Sequence, residues 1–123
     1  MSRTRTINLV GGRGYTGSEL LRLIARHPHM DLGIASSRSH AGQGLSAVCA
    51  GWPDDGRVFT RLEPGGVADH SADAWVLALP NGLASGWVEA IRAEFSEAVI
   101  VDLSADYRFD NAWAYGLPER FRD

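Results

Sequence analysis

The sequence predicts one α/β domain built on a doubly wound parallel sheet, and three observations carry that expectation. Ile7 to Val10 is a short apolar run that passes straight into Gly11-Gly12-Arg13-Gly14-Tyr15-Thr16-Gly17, and Ser18 to Ile24 opens a helical apolar pattern behind it. Trp75 to Leu79 and Ala98 to Leu103 are further continuous apolar runs, the pattern of parallel strands covered by helices on both faces. Between them Ala84, Val88, Ile91 and Phe95 recur at helical spacing, which sets one apolar face toward a sheet. The 123 residues suit a single core, and no internal repeat, low-complexity tract or linker divides residues 1–123.

The glycine turn comes first. A tight turn after a strand needs φ values that a Cβ forbids, and a pyrophosphate needs bare backbone N–H groups within reach. Those amides and the positive end of the following helix then hold the anion. The strand before the glycines and the helix after them make this a Rossmann-like dinucleotide cradle. Two registers fit, Gly12/Gly14/Gly17 and Gly11/Gly14/Gly17, and the second is preferred.

The first helix is expected to stop near Arg26-His27-Pro28, because the residue before proline is pushed out of the helical region. Asp31 to Ser36 then reads as a second strand, completing a βαβ unit. From Ser37 to about Thr60 the chain is rich in Gly, Ser and Asp and holds Pro53-Asp54-Asp55-Gly56. It reads as a long surface connection with one short helix at Leu45 to Val48. The last segment, 105–123, has no periodic pattern, yet it holds the five aromatics Tyr107, Phe109, Trp113, Tyr115 and Phe121. Two readings stay open for it: packing against a domain or partner outside this chain, or folding back on its own domain.

Composition narrows the function. A net charge of −3 and the lack of any apolar run of membrane-spanning length argue against nucleic-acid and membrane partners. The basic start, Arg3 and Arg5, lacks the hydrophobic stretch of a secretory signal, so the expected compartment is the cytoplasm. All 12 basic residues are arginine, which removes Schiff-base chemistry and a lysine-dependent phosphate loop. Cys49 is the sole cysteine, and His27, His29, His40 and His70 have no metal-ligand spacing, so no metal site is expected. Cys49 has neither a helix N-terminus nor a histidine beside it in sequence and reads as a small, partly buried thiol.

In a dinucleotide site the end of the second strand meets the adenosine ribose, and here it reads Ser36-Ser37-Arg38-Ser39. Hydroxyls and a guanidinium in place of Asp or Glu suit a 2'-phosphate, so NADP is expected over NAD. Pro80 and Asn81 fall at the end of the third strand, where Asn81 is suited to cap the next helix. Asp102, Ser104, Asp106 and Arg108 cluster after the fourth, where Asp106 and Arg108 would pair or brace the tail.

The five motifs Gly11 to Leu21, Ser36 to Gly42, Ala78 to Gly82, Val101 to Arg108 and Tyr115 to Glu119 together resemble N-acetyl-gamma-glutamyl-phosphate reductase. The resemblance covers nearly the whole chain in order. It implies NADP-dependent reductive dephosphorylation of N-acetyl-glutamyl phosphate to the semialdehyde in arginine biosynthesis, through attack of a cysteine on the acyl phosphate. That cysteine follows an Asn-Pro-Gly stretch beyond the Tyr-Gly-Leu-Pro-Glu motif, with a histidine later still, so the chain is expected to be the amino-terminal nucleotide-binding part without the catalytic domain. No residue here inherits a catalytic role, and Cys49 lies in a different context. Carried over by position, Gly11, Arg13, Gly14, Tyr15, Thr16 and Gly17 would meet the pyrophosphate, and Ser36, Ser37, Arg38 and Ser39 the adenosine end. Pro80 and Asn81 would lie toward the nicotinamide, and Ser104 and Arg108 toward a small acyl-phosphate substrate. Gly12, often alanine in the family, loosens the loop. The isolated chain is expected to bind NADP weakly and to reduce nothing, and the resemblance leaves room for a homo-oligomer. Competing readings are the reductase of the amino-adipyl analogue in lysine biosynthesis, a stand-alone nucleotide-binding module and, more distantly, a methyltransferase.

Overall fold

Strand β1 (Arg5–Val10) and strand β3 (Ala74–Leu77) form the middle of a four-stranded sheet, flanked by β2 (Met30–Ser36) and β4 (Val99–Asp102). All pairings are parallel and the order is β2-β1-β3-β4. This computed structural model describes residues 4–11 and 14–114. The chain leaves β1 toward β2 on one side and then crosses back to β3 on the other. The carboxyl ends of β1 and β3 therefore flank the point where strand order reverses, the usual ligand crevice of such sheets.

Helices cover both faces. On one face α1 (Gly14–Arg26) and α2 (Leu45–Val48), with Cys49 just after it, pack Leu21, Ile24, Leu45 and Cys49 against Ile7, Leu9, Leu32 and Ala35. On the other, α3 (Ala84–Glu94) and a 3-10 helix (Pro64–Asp69) pack Val67, Ala84, Trp87, Val88 and Ile91 against Val10, Trp75 and Leu77. The doubly wound α/β expectation holds, as does the stripe Ala84, Val88 and Ile91, with Phe95 half-buried at the helix end and stacked on Trp75.

Three local expectations need correction. Helix α1 begins at Gly14 and not near Ser18, so Tyr15, Thr16 and Gly17 lie in its first turn. The first-turn amides have no intrahelical partners, so poor helix formers are tolerated there. The stretch Ser37 to Thr60 is no plain surface connection, since Leu45, Cys49, Trp52 and Phe59 are all buried in the core. Thr60 pairs in parallel with Ser36, and Val58 with Gly44 in the opposite sense, which fastens the excursion alongside β2. Its turn residues masked an irregular spacing of core side chains. Helix α3, finally, is not capped by Asn81: its N-cap is Leu83, without a side-chain cap bond.

The β1–β2 ladder is irregular. Ile7 faces Leu32 but Leu9 faces Ala35, so β2 spends Gly33 and Ile34 against Asn8 alone. Asn8 is 1% exposed and repairs the gap: Ile34 N–H donates to its Oδ1 at 3.0 Å, while its Nδ2 donates to the His70 carbonyl at 2.9 Å. One side chain thus ties β2, β1 and the end of the 3-10 helix, and satisfies groups whose burial without partners is costly. Gly33 makes room, since a Cβ there would lie 2.2 Å from Asn8 Oδ1.

The first part of the tail folds back on the domain. Tyr107 stacks on Trp113 with ring centroids 4.3 Å apart, Arg92 of α3 lies over Trp113, and both rings rest against the α3 side of the core. Burial and the carboxylates around it, Asp102 first among them, push the Tyr107 hydroxyl pKa up. Phe109 is 90% exposed, and Tyr115 and Phe121 lie outside the described residues.

Candidate functional site: a dinucleotide cleft at the strand ends

The carboxyl ends of β1, β2 and β3 open into a cleft of about 790 Å³. At its floor the chain leaves β1 through Gly11 with φ +83, and a Cβ there would lie 2.4 Å from the Ala78 carbonyl oxygen. That neighbour is backbone and cannot swing aside, so both conformation and space require glycine. Gly11 N–H donates to the Ser36 carbonyl at 3.1 Å, joining the turn to the end of β2.

Gly11, Tyr15, Thr16 and Gly17 line the cleft, and Gly14 opens α1 just before them. Tyr15 and Thr16 are exposed, Gly17 is buried, and α1 has no acidic residue in its first turn. The positive end of this 13-residue helix is therefore not offset by a carboxylate of its own first turn. Gly12 and Arg13, and with them the alternative register and the expected arginine contact, lie outside the described residues.

At the end of β2, Ser36, Ser37, Arg38 and Ser39 all line the cleft. Ser36 and Ser37 are buried, the Ser37 hydroxyl accepts from His40 N–H at 3.1 Å, and Ser37 N–H donates to the Thr60 carbonyl. Arg38 is exposed, and its Nη2 lies 3.1 Å from a carboxylate oxygen of Glu63. Glu63 also lines the cleft. Nothing in sequence spacing pointed to it, since the pairing of Thr60 with Ser36 is what carries residue 63 to the end of β2.

Leu79, Pro80, Leu83, Trp87 and Leu103 give the cleft an apolar wall near the end of β3, and Leu62 and Pro64 also line it. Pro80 is part of that wall, whereas Asn81, Ser104 and Arg108 are not among the lining residues. They belong to a latch beside the cleft. Asn81 Oδ1 accepts from Ala105 N–H at 2.8 Å, and Asp106 accepts from the N–H groups of Gly82 and Ala84 at 2.7 and 3.1 Å. Asp106, distant in sequence, therefore performs the capping of α3 expected of Asn81. The bonds from Gly82 and Ala84 hold its carboxyl below the usual carboxylate range. The Ser104 hydroxyl donates to Asp102 at 2.8 Å and accepts from Asp106 N–H. Arg108 is exposed and its N–H donates to the Ala105 carbonyl.

Cys49 is 2% exposed and its thiol donates to the Ser18 carbonyl across from α1. Among the described residues no group of His, Cys, Asp and Glu is arranged to hold a metal, and no helix is long and apolar enough to cross a membrane.

Residues 6–123 match the family model for the NAD binding domain of semialdehyde dehydrogenase. The chain belongs to that semialdehyde dehydrogenase family. It is 50% identical over 119 residues to an N-acetyl-gamma-glutamyl-phosphate reductase of Stenotrophomonas maltophilia, covering 97% of this chain and 37% of that protein. It is 48% identical over 120 residues to the reductase of that name from Xanthomonas oryzae, covering 98% of this chain and 38% of the other. Protein arg-6, mitochondrial, of Neurospora crassa is 46% identical over 127 residues, covering 97% of this chain and 14% of that protein. The chain thus spans little more than a third of the length of the two bacterial relatives. Among solved structures, aspartate semialdehyde dehydrogenase with NADP from Candida albicans superimposes with a TM-score of 0.67 at 16% identity, covering 87% of this chain and 31% of that one. At that identity the likeness speaks for the fold. A semialdehyde dehydrogenase NAD-binding domain takes a nicotinamide dinucleotide, and an NAD(P) cofactor is accordingly the ligand class of this chain.

Proposed function

We propose that the chain is the NADP(H)-binding part of an N-acetyl-gamma-glutamyl-phosphate reductase, serving the reductive dephosphorylation of N-acetyl-glutamyl phosphate to its semialdehyde in arginine biosynthesis. The observation that carries this reading is the Gly11 cradle: a backbone turn that a Cβ would block, between the ends of β1 and β3 and at the start of α1. Similarity to reductases of that name at 50% and 48% identity supports the substrate class.

Gly11 would let the pyrophosphate approach the turn, and the backbone amides from Gly14 to Gly17 would hold it. Ser36 to Ser39 would hold the adenosine end, with the Arg38 guanidinium on the 2'-phosphate. Leu79, Pro80 and Leu103 would flank the nicotinamide, with Asn81 and Ser104 setting the path of the two loops through the latch. The bound cofactor supplies hydride. The thiolate that attacks the acyl phosphate is not Cys49, because burial and its bond to the Ser18 carbonyl keep that thiol from substrate.

Titration of the chain with NADPH and NADH, read by quenching of tryptophan fluorescence, tests the reading. NADPH binds more tightly, Arg38→Ala weakens NADPH about tenfold with little effect on NADH, and the chain does not reduce the acyl phosphate. Equal affinities for the two cofactors, an unchanged NADPH affinity in Arg38→Ala, or turnover would refute it.

A further inference from the structure

The adenosine edge of the cleft holds two opposite charges. Arg38 sits at the end of β2, and Glu63 reaches the same spot from the segment that the Ser36–Thr60 pairing lays beside that strand. Both Glu63 carboxylate oxygens, at 3.1 and 3.3 Å, accept from Nη2 of Arg38. The pair is solvent-facing, with side-chain exposures of 78% and 48%, so it adds little to stability. Its position on the cleft wall gives it a different consequence. A 2'-phosphate arriving at Arg38 must share the guanidinium with a carboxylate of its own sign. An unphosphorylated ribose meets a carboxylate of the kind that accepts 2'-hydroxyl hydrogens in NAD sites. In those sites the acid ends the second strand itself, where this chain has Ser36-Ser37-Arg38-Ser39. Here a later segment delivers it.

We propose that Glu63 is the residue that limits cofactor discrimination in this cleft, opposing the 2'-phosphate of NADP(H) while accepting the ribose hydroxyls of NAD(H), so that both cofactors bind with a modest preference for NADP(H). The inference rests on the dinucleotide reading above and deepens it. Arg38 attracts the phosphate, and Glu63 sets how large the resulting preference becomes. Two charges of like sign a few ångströms apart in a solvated site change affinity by about tenfold at low salt, and the effect fades as the Debye length shrinks.

The test measures the chain and its Glu63→Gln variant with four probes: NADPH, NADH, and the adenosine-end fragments 2',5'-ADP and ADP. Glu63→Gln is expected to bind NADPH and 2',5'-ADP about tenfold more tightly at low salt, and NADH and ADP several-fold more weakly. The gain for the phosphorylated probes shrinks in 0.5 M salt. Glu63→Asp stays close to the parent in both, and Glu63→Ala repeats the Gln result should that variant fold poorly. A shift of all four probes in one direction, or a loss of NADPH affinity, overturns the proposal and makes Glu63 a group that merely positions Arg38. If the parent chain binds none of the probes, the dinucleotide reading itself fails, a result distinct from normal binding with unchanged discrimination in Glu63→Gln.

Discussion

Replacing Asn8 by alanine removes a side chain that is 1% exposed and bonds to two main-chain groups 62 and 26 residues away in sequence. The Ile34 N–H and the His70 carbonyl then lose their partners. Each buried group left unsatisfied costs roughly 1–3 kcal/mol, so Asn8→Ala should lose about 3 kcal/mol. In a domain whose whole stability is on the order of 5–15 kcal/mol that is a large fraction, and it lowers the melting temperature by roughly 10 °C. Gly33→Ala alone should cost about 2 kcal/mol, the usual penalty for overpacking, because its Cβ would lie 2.2 Å from Asn8 Oδ1 and 2.9 Å from Thr6 Cγ2. The two losses should not add. With Asn8 cut back to alanine the first clash vanishes, and only the rotatable Thr6 methyl remains in the way. The double variant should therefore be more stable than the sum of the singles by about 1–2 kcal/mol. Urea unfolding followed by tryptophan fluorescence measures all four proteins, since Trp75 and Trp87 are both buried. Additivity within about 0.4 kcal/mol would refute the claim that Gly33 exists to admit Asn8.

Two further outcomes follow from the cleft and its latch. Gly11→Ala forces a side chain into φ +83 and sets a Cβ 2.4 Å from the Ala78 carbonyl oxygen. It should lose about 2 kcal/mol or more of stability and abolish NADPH binding, and calorimetry showing parental affinity would contradict this. The Asp106 carboxyl, whose pKa is lowered by accepting from Gly82 and Ala84, contributes stability that is fully present above its unfolded value and is lost as pH falls through the lower folded value. The stability gap between the parent and Asp106→Asn should thus be constant from about pH 5 to 8 and close as pH falls below the ordinary carboxylate range. Thermal melts across that range check it, and a gap independent of pH would show that the charge of Asp106 plays no part.

Much of the architecture was readable from residue order. Strand–glycine–helix at residues 7–24, the apolar runs at Trp75 and Ala98, and the stripe on α3 each encode local structure within a short window. The glycine pattern also marked the cleft floor, because a left-handed turn at close approach admits no other residue. Arg38 was visible because its distance from the glycines is set by one βαβ unit. Glu63, the roles of Asn8 and Gly33, and the exchange of duties between Asn81 and Asp106 were not visible, since each joins segments more than twenty residues apart through a backbone pairing or a bulge.

Local conformational preference and apolar periodicity are properties of neighbouring residues, and they were enough to specify the class of fold and the place where an anion can meet bare amides. Which charges face each other across that cleft is a property of distance in space. Glu63 meets Arg38 because Thr60 pairs with Ser36, and Asp106 meets the start of α3 because β4 ends beside β3. The pairing of Arg38 with Glu63 on the cleft wall exists only once the chain has folded.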